Sequence, residues 1–249
     1  MVVSWFELSD RLKRYLPFGH NEKRDLFIAV LIIGFIFSFK DWGTETVDLV
    51  YGFRNFILTV IVAGISFFVH EIAHRYFALE IGYRSEFKIW WGGLIASLIL
   101  VLLSNGRIQL ILPGGMVNAI MARHRLGEFR YGLNYWENGM VALYGPLANL
   151  LLAFVGKFFL IVFPNSFFFE KFIYLNVLFA ICTMLPIPPL DGISVFFGSR
   201  VIYVIAFLGI LASGVLIYFT GFWLSVIGAL LAIVIGITIY YLKVEQVPE

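Results

Sequence analysis

Cysteine is nearly absent: the 249 residues contain one, Cys182, so no disulfide forms within the chain and no zinc cluster can be built from thiolates alone. The expected role of Cys182 is that of a buried, inert thiol. Charge is scarce as well. Charged residues make up 14% of the chain and apolar residues 61%, against about 25% and about 45–50% in soluble domains. That leaves too little polar surface to cover a water-soluble globule. A mean hydropathy of +0.91 also excludes a disordered chain, a coiled coil and a nucleic-acid module with a broad basic face. The net charge of +2 names no partner, and internal repeats and low-complexity tracts are missing. The composition is that of a membrane protein.

The first ten residues place acids and aromatics where a secretory signal would carry a basic start and a short apolar core, so no cleaved signal is expected. Trp5, Phe6, Leu8, Leu12, Tyr15 and Leu16 recur at helical spacing, with Asp10, Arg11, Lys13 and Arg14 on the other side. The pattern fits a helix lying on the membrane surface; a solvated charged tail is the alternative. Apolar segments follow at 26–39, 56–79, 94–103, 139–163, 172–197 and 201–242, the last long enough for two spans broken near Thr220-Gly221. A span needs about 17–25 residues, so 94–103 is too short to cross alone. The stretch 104–138, with Arg107, Arg123, His124, Arg125, Glu128, Arg130 and Glu137, reads as an extramembrane loop. Alternating residues predict two short strands, at 86–91 and 108–112. The expected fold is an all-α polytopic membrane protein of about six transmembrane helices with a short membrane-associated β hairpin. Its expected divisions are a cytoplasmic amphipathic segment, 1–25, a single transmembrane domain, 26–242, with its core at 56–197, and a short tail, 243–249.

Histidine is rare too, four in all, yet two fall in His70-Glu71-Ile72-Ala73-His74 within the apolar segment 56–79. Residues i and i+4 share a helix face, so both imidazoles can bind one zinc ion while Glu71 reaches a water beside it. Chance would produce this H-E-x-x-H pattern in roughly three of a thousand chains of this composition. Core histidines bonded to neighbouring helices are the bland reading. It has to explain why two histidines, Glu71 and Arg75 crowd into an apolar span, where each ionisable group costs on the order of a few kcal/mol.

Catalytic zinc takes three protein ligands and leaves a fourth position open. After Asp48 the chain holds a single aspartate, Asp191, in the run Leu185-Pro186-Ile187-Pro188-Pro189-Leu190-Asp191-Gly192. Those prolines break the helix and force irregular backbone into membrane-depth sequence, which is tolerated only inside protein or beside a wet cavity. A carboxylate there is placed to face a site. Asp191 also suits the N-cap of a helix starting at Gly192, and the two roles are compatible.

At this point the sequence resembles the site-2 protease family of intramembrane zinc metalloproteases, through HEIAHRYFALEIG at 70–82, GPLAN at 145–149 and LPIPPLDG at 185–192. The resemblance covers roughly half the chain, and the motifs stand in the family order. It implies His70, His74 and Asp191 as ligands of one zinc ion per chain and Glu71 as general base. It also implies that Asn149 lies beside the site and holds the substrate backbone or the developing oxyanion, with an interhelical hydrogen bond as the alternative role. One position departs from the pattern: Thr183 stands where members commonly carry asparagine, and Asn176, one helical face earlier, is a partial substitute.

Arg11, Lys13, Arg14, Lys23 and Arg24 precede the first span, against Lys40 and Arg54 in the next loop, so the N-terminus is expected in the cytoplasm of a multi-pass cell-membrane protein. If 94–103 dips in without crossing, His70 and Asn149 both lie about 15 Å from the cytoplasmic face, and Asp191 returns to the same half. A crossing at 94–112 would put Asp191 on the opposite side. A shared metal therefore selects six crossings over seven. The chemistry that fits is hydrolysis of a peptide bond in or next to a transmembrane helix of another membrane protein, with the lipid bilayer as the other partner and no nucleic acid. Such a helix must unwind first, and the two expected strands could receive it by edge pairing. A multispan transporter using Glu71, Asp191 and the proline break as an ion path is the alternative, although no repeat supports it. Lys157 is expected to snorkel or to pack against a partner, without a catalytic role.

Overall fold

The computed structural model describes residues 5–42, 48–120 and 134–242. In chain order these form α1 (Trp5–Tyr15), α2 (His20–Ser38), α3 (Leu49–Ile81), β1 (Tyr83–Ile89), α4 (Trp91–Leu103), β2 (Gly114–Ile120), α5 (Tyr135–Val162), α6 (Phe167–Thr183), α7 (Asp191–Gly198), α8 (Arg200–Phe219) and α9 (Phe222–Tyr240). The protein is an all-α membrane protein with a small two-stranded hairpin. Among the described residues, α3, α5, α8 and α9 are long and apolar enough to cross a membrane. Helix α2, with 19 residues, opens on a charged turn, and α6 has 17. The break expected near Thr220-Gly221 separates α8 from α9. The expected segment 172–197 is not one helix: α6 stops at Thr183, before the prolines, and α7 begins at Asp191.

Helix starts follow from local chemistry. The Asp48 carboxylate accepts the amides of Val50 and Tyr51, each at 3.0 Å, two of the donors that the first turn of a helix leaves unpaired. Helix α3 then runs 33 residues, about 50 Å at 1.5 Å per residue. The main core packs its middle against α2, α4 and α6, with Ile33, Phe37, Phe67, Leu94, Ile111 and Phe179 buried together.

After α3 the chain makes a long excursion and comes back. Strand β1 returns along α3, so that the ring of Phe87 meets that of Phe67 edge-on at 5.1 Å. Helix α4 carries on to the end where α2 finishes. There Gly106 lies against Phe39 and Lys40, and Gln109 donates its side-chain amide to the Ile36 carbonyl at 3.2 Å. Residues 108–113 lead back, the Trp90 amide donates to the Pro113 carbonyl at 2.9 Å, and β2 pairs antiparallel with β1 from Ile89↔Gly114 to Tyr83↔Ile120. Near the start of α5 the Asn134 amide donates to the Tyr83 hydroxyl at 3.3 Å. Helix α5 thus departs from the end at which α3 finished.

This path corrects two expectations. The second strand is at 114–120, not 108–112: alternation in the latter run reflects packing, with Ile111 and Leu112 buried while Ile108 is 50% exposed. Nor is 104–138 a single loop. Its first residues lie beside Lys40, its middle includes β2, and Tyr135 opens α5 at the opposite end of the molecule. Arg123, His124, Arg125, Glu128 and Arg130 fall outside the described residues.

In membranes, therefore, Asn105→Cys and Tyr135→Cys, each made in a Cys182→Ala background, should react with an impermeant thiol reagent from opposite faces. Labelling of both from one face would contradict this path.

Candidate metal centre

Helices α3, α5 and α7 each contribute to one buried polar group. His70 Nε2 lies 3.1 Å from Asp191 Oδ2, His74 Nε2 lies 3.4 Å from the same oxygen, and the two Nε2 atoms are 3.0 Å apart. His70, His74 and Asp191 are at most 3% exposed. The other imidazole nitrogens are already engaged: His70 Nδ1–H donates to Asn149 Oδ1 at 3.1 Å, and His74 Nδ1–H donates to the Val141 carbonyl at 2.8 Å. With both Nδ1 atoms as donors, both Nε2 atoms present lone pairs. In the neutral tautomers this sets, three electron-pair donors converge on one point, an arrangement that a bound cation makes favourable.

The spacing fits zinc. Ligands about 2.0–2.2 Å from a tetrahedral ion stand about 3.3 Å from one another, and the separations here are 3.0–3.4 Å. Outer partners that hold the Nδ1 side of a ligand are what orient histidines at metal sites. Stacking adds to this hold, because the His70 ring lies 4.8 Å from that of Phe179 at an interplanar angle of 9°.

Two glycines allow the approach. A β-carbon at Gly145 would lie 2.7 Å from His70 Cε1 and closer still to His74 Nε2, so α5 can rest against the imidazoles only with hydrogen there. Asn149 stands one turn further along the same helix face. On the hairpin, a β-carbon at Gly115 would collide with the Pro189 carbonyl, so β2 packs directly on the proline loop that precedes Asp191. That loop turns through Ile187, whose carbonyl accepts the Leu190 amide at 2.8 Å. The N-cap of α7 is Leu190, and Asp191 makes no cap hydrogen bond. Its carboxylate turns to the histidines instead, which answers the question its position in the sequence left open.

Glu71 is 2% exposed, and its Oε2 has no hydrogen-bond partner among the described residues; nor does Asn149 Nδ2. One buried acceptor and one buried donor are therefore free beside the three ligand-type atoms, an uncommon condition that marks places for water or a bound molecule. Thr183 spends its hydroxyl on the Phe179 carbonyl of its own helix at 3.0 Å, and Asn176 donates to Phe172 with its Oδ1 buried and unpartnered. At the outer end of the hairpin Tyr83 donates to Glu137 at 2.5 Å. Burial first, and then that carboxylate, raise its phenol above the usual range. The parts played by Gly145, Gly115, Phe179 and the Val141 carbonyl were missed from sequence; of these only Gly145, four residues before Asn149 in GPLAN, left a signal.

The chain is 34% identical over 210 residues to putative zinc metalloprotease MJ0611 of Methanocaldococcus jannaschii, an alignment covering 83% of this chain and 97% of that one. It is 32% identical over 148 residues to the similarly named YwhC of Bacillus subtilis, covering 53% of this chain and 64% of the other. No family model and no solved structure matches. The chain belongs to the zinc metalloprotease family of these relatives, and its three-residue donor group fits the zinc that their names specify.

Purified protein should carry about one zinc per chain, and the His70→Ala/His74→Ala/Asp191→Ala variant close to none. Gly145→Ala, which forces the imidazoles apart, should weaken zinc affinity by about 10- to 100-fold in a folded protein. Full zinc in the triple variant would rule out this group as the binding site.

Proposed function

We propose that the protein is an intramembrane endopeptidase of the site-2 protease kind, cutting a peptide bond within or beside a transmembrane helix of another membrane protein. The observation that carries this reading is the coincidence of a His70–His74–Asp191 donor group with the buried Glu71 Oε2, unpartnered among the described residues, with His70, Glu71 and His74 on a helix apolar enough to span a bilayer. His70, His74 and Asp191 hold the metal. When bound, zinc supplies Lewis acidity that polarises a scissile carbonyl and brings the pKa of water toward about 7. Glu71 accepts the proton of the attacking water and returns it to the leaving amine, the two-way role of a general base. Asn149 has both of its functions at once: Oδ1 orients His70, and the free Nδ2–H₂ donates to the substrate backbone or the developing oxyanion.

A substrate helix hides its carbonyls in its own hydrogen bonds and must unwind to be cut. The hairpin offers a place for the unwound segment. Because Trp90 bonds Pro113, alternation makes Phe87↔Met116 and Ser85↔Asn118 the pairs whose backbone groups point away from the partner strand. The outward groups of Met116 and Asn118 on β2 form the receiving edge, and Met116 packs against the cluster of Ala78, Tyr83 and Val141, the last of which holds His74 through its carbonyl. The basic N-terminal segment supports a site in the cytoplasmic half of the bilayer. A transporter would need Asp191 available to a moving ion, whereas here it is held against two histidines.

Glu71→Gln should keep its zinc and lose cleavage of single-span substrates by at least about a hundredfold, the contribution of a positioned base. Cleavage at the unaltered rate would refute the assignment of Glu71, and zinc-independent cleavage would refute the class.

A further inference from the structure

Arg75 follows His74 on α3 and is 2% exposed, so its charge needs an anion within the protein. Glu22, in the first turn of α2 and 8% exposed, supplies it: Oε1 accepts from Arg75 Nη2. The same oxygen accepts the amide of Phe87 on β1 at 2.8 Å, and Oε2 accepts the Gly19 amide at 3.1 Å. Arg75 also donates to the Leu16 carbonyl at 3.1 Å, and its guanidinium sits 3.9 Å over the Phe18 ring. One carboxylate thus joins the metal-bearing helix, the start of α2 and the middle of β1.

The placement has a second effect. The Phe87 amide points out of the sheet, where an added strand would have to bond. Glu22 occupies that donor and sets a negative charge where an incoming carbonyl would lie. The edge of β1 is closed at this point, while that of β2 at Met116 and Asn118 is not used by β1.

We infer that Glu22 is a positioning residue for peptide binding: it pins β1 to the metal-bearing helix, holds β2 through β1 in register with the metal group, and occupies the outward donor of β1 where an added strand would bond. Its kinetic consequence rests on the proteolytic reading above; its structural consequence does not. The test uses zinc-loaded full-length protein in lipid nanodiscs, with Glu22→Ala, Glu22→Gln and the paired Glu22→Leu/Arg75→Leu, which leaves no unpaired charge if Glu22→Ala fails to fold. Losing a charged acceptor should speed amide exchange in residues 84–89 by about tenfold and raise KM for a single-span substrate by about as much, with kcat and zinc content little changed. Glu22→Gln, which keeps an oxygen for the Phe87 amide, should recover most of both. Unchanged exchange and KM in the alanine and paired variants overturn the inference. If the unaltered protein cleaves no substrate, the proteolytic reading falls instead, and the exchange rates still decide whether Glu22 holds the hairpin.

Discussion

Three ligand-type atoms, His70 Nε2, His74 Nε2 and an Asp191 carboxylate oxygen, are held within 3.4 Å of one another in the interior, and most of the architecture around them serves that convergence. Two donors come from one turn of α3 and need only helical geometry. The third is 117 residues beyond His74 and must be brought there by the fold. The break after Thr183 allows it, because a continuous helix through 184–191 would carry Asp191 further along its axis, whereas the proline loop returns it to the histidines.

The excursion through β1, α4 and β2 belongs to the same problem. It brings the chain back to the end of α3 before α5 begins, so α5 passes the histidines antiparallel to α3 and sets Gly145, Asn149 and the Val141 carbonyl against them. It also lays β2 on the Pro189 carbonyl. Metal group, proline loop and strand edge are therefore one packed unit, and Glu22 with Arg75 fastens that unit to α2.

What could be read in advance follows the range of each interaction. His70, Glu71 and His74 are legible because their relation is local, a matter of i and i+4 on one helix. Asp191 is legible through scarcity, as the single aspartate after Asp48 at a proline break. The gap between α8 and α9 is legible from Thr220-Gly221. Residues 108–112 mislead because alternation records which side chains meet the core and not whether a neighbouring strand exists: Ile111 is buried against Phe37 and Phe179 without belonging to the ladder. The Glu22–Arg75 link escapes altogether, since 53 residues separate its partners and nothing in either neighbourhood names the other. Gly145 is intermediate: a glycine four residues before Asn149 is visible, but its purpose appears only when two imidazoles are found where its side chain would be.

The most direct test of the convergence is zinc K-edge X-ray absorption on the purified, zinc-loaded protein. The account predicts a shell of nitrogen and oxygen only, at about 2.0–2.2 Å, with the outer-shell pattern of two imidazoles and the remainder from carboxylate and water. A sulfur scatterer at about 2.3 Å, which only Cys182 or a methionine could supply, or a shell without imidazole, would contradict it.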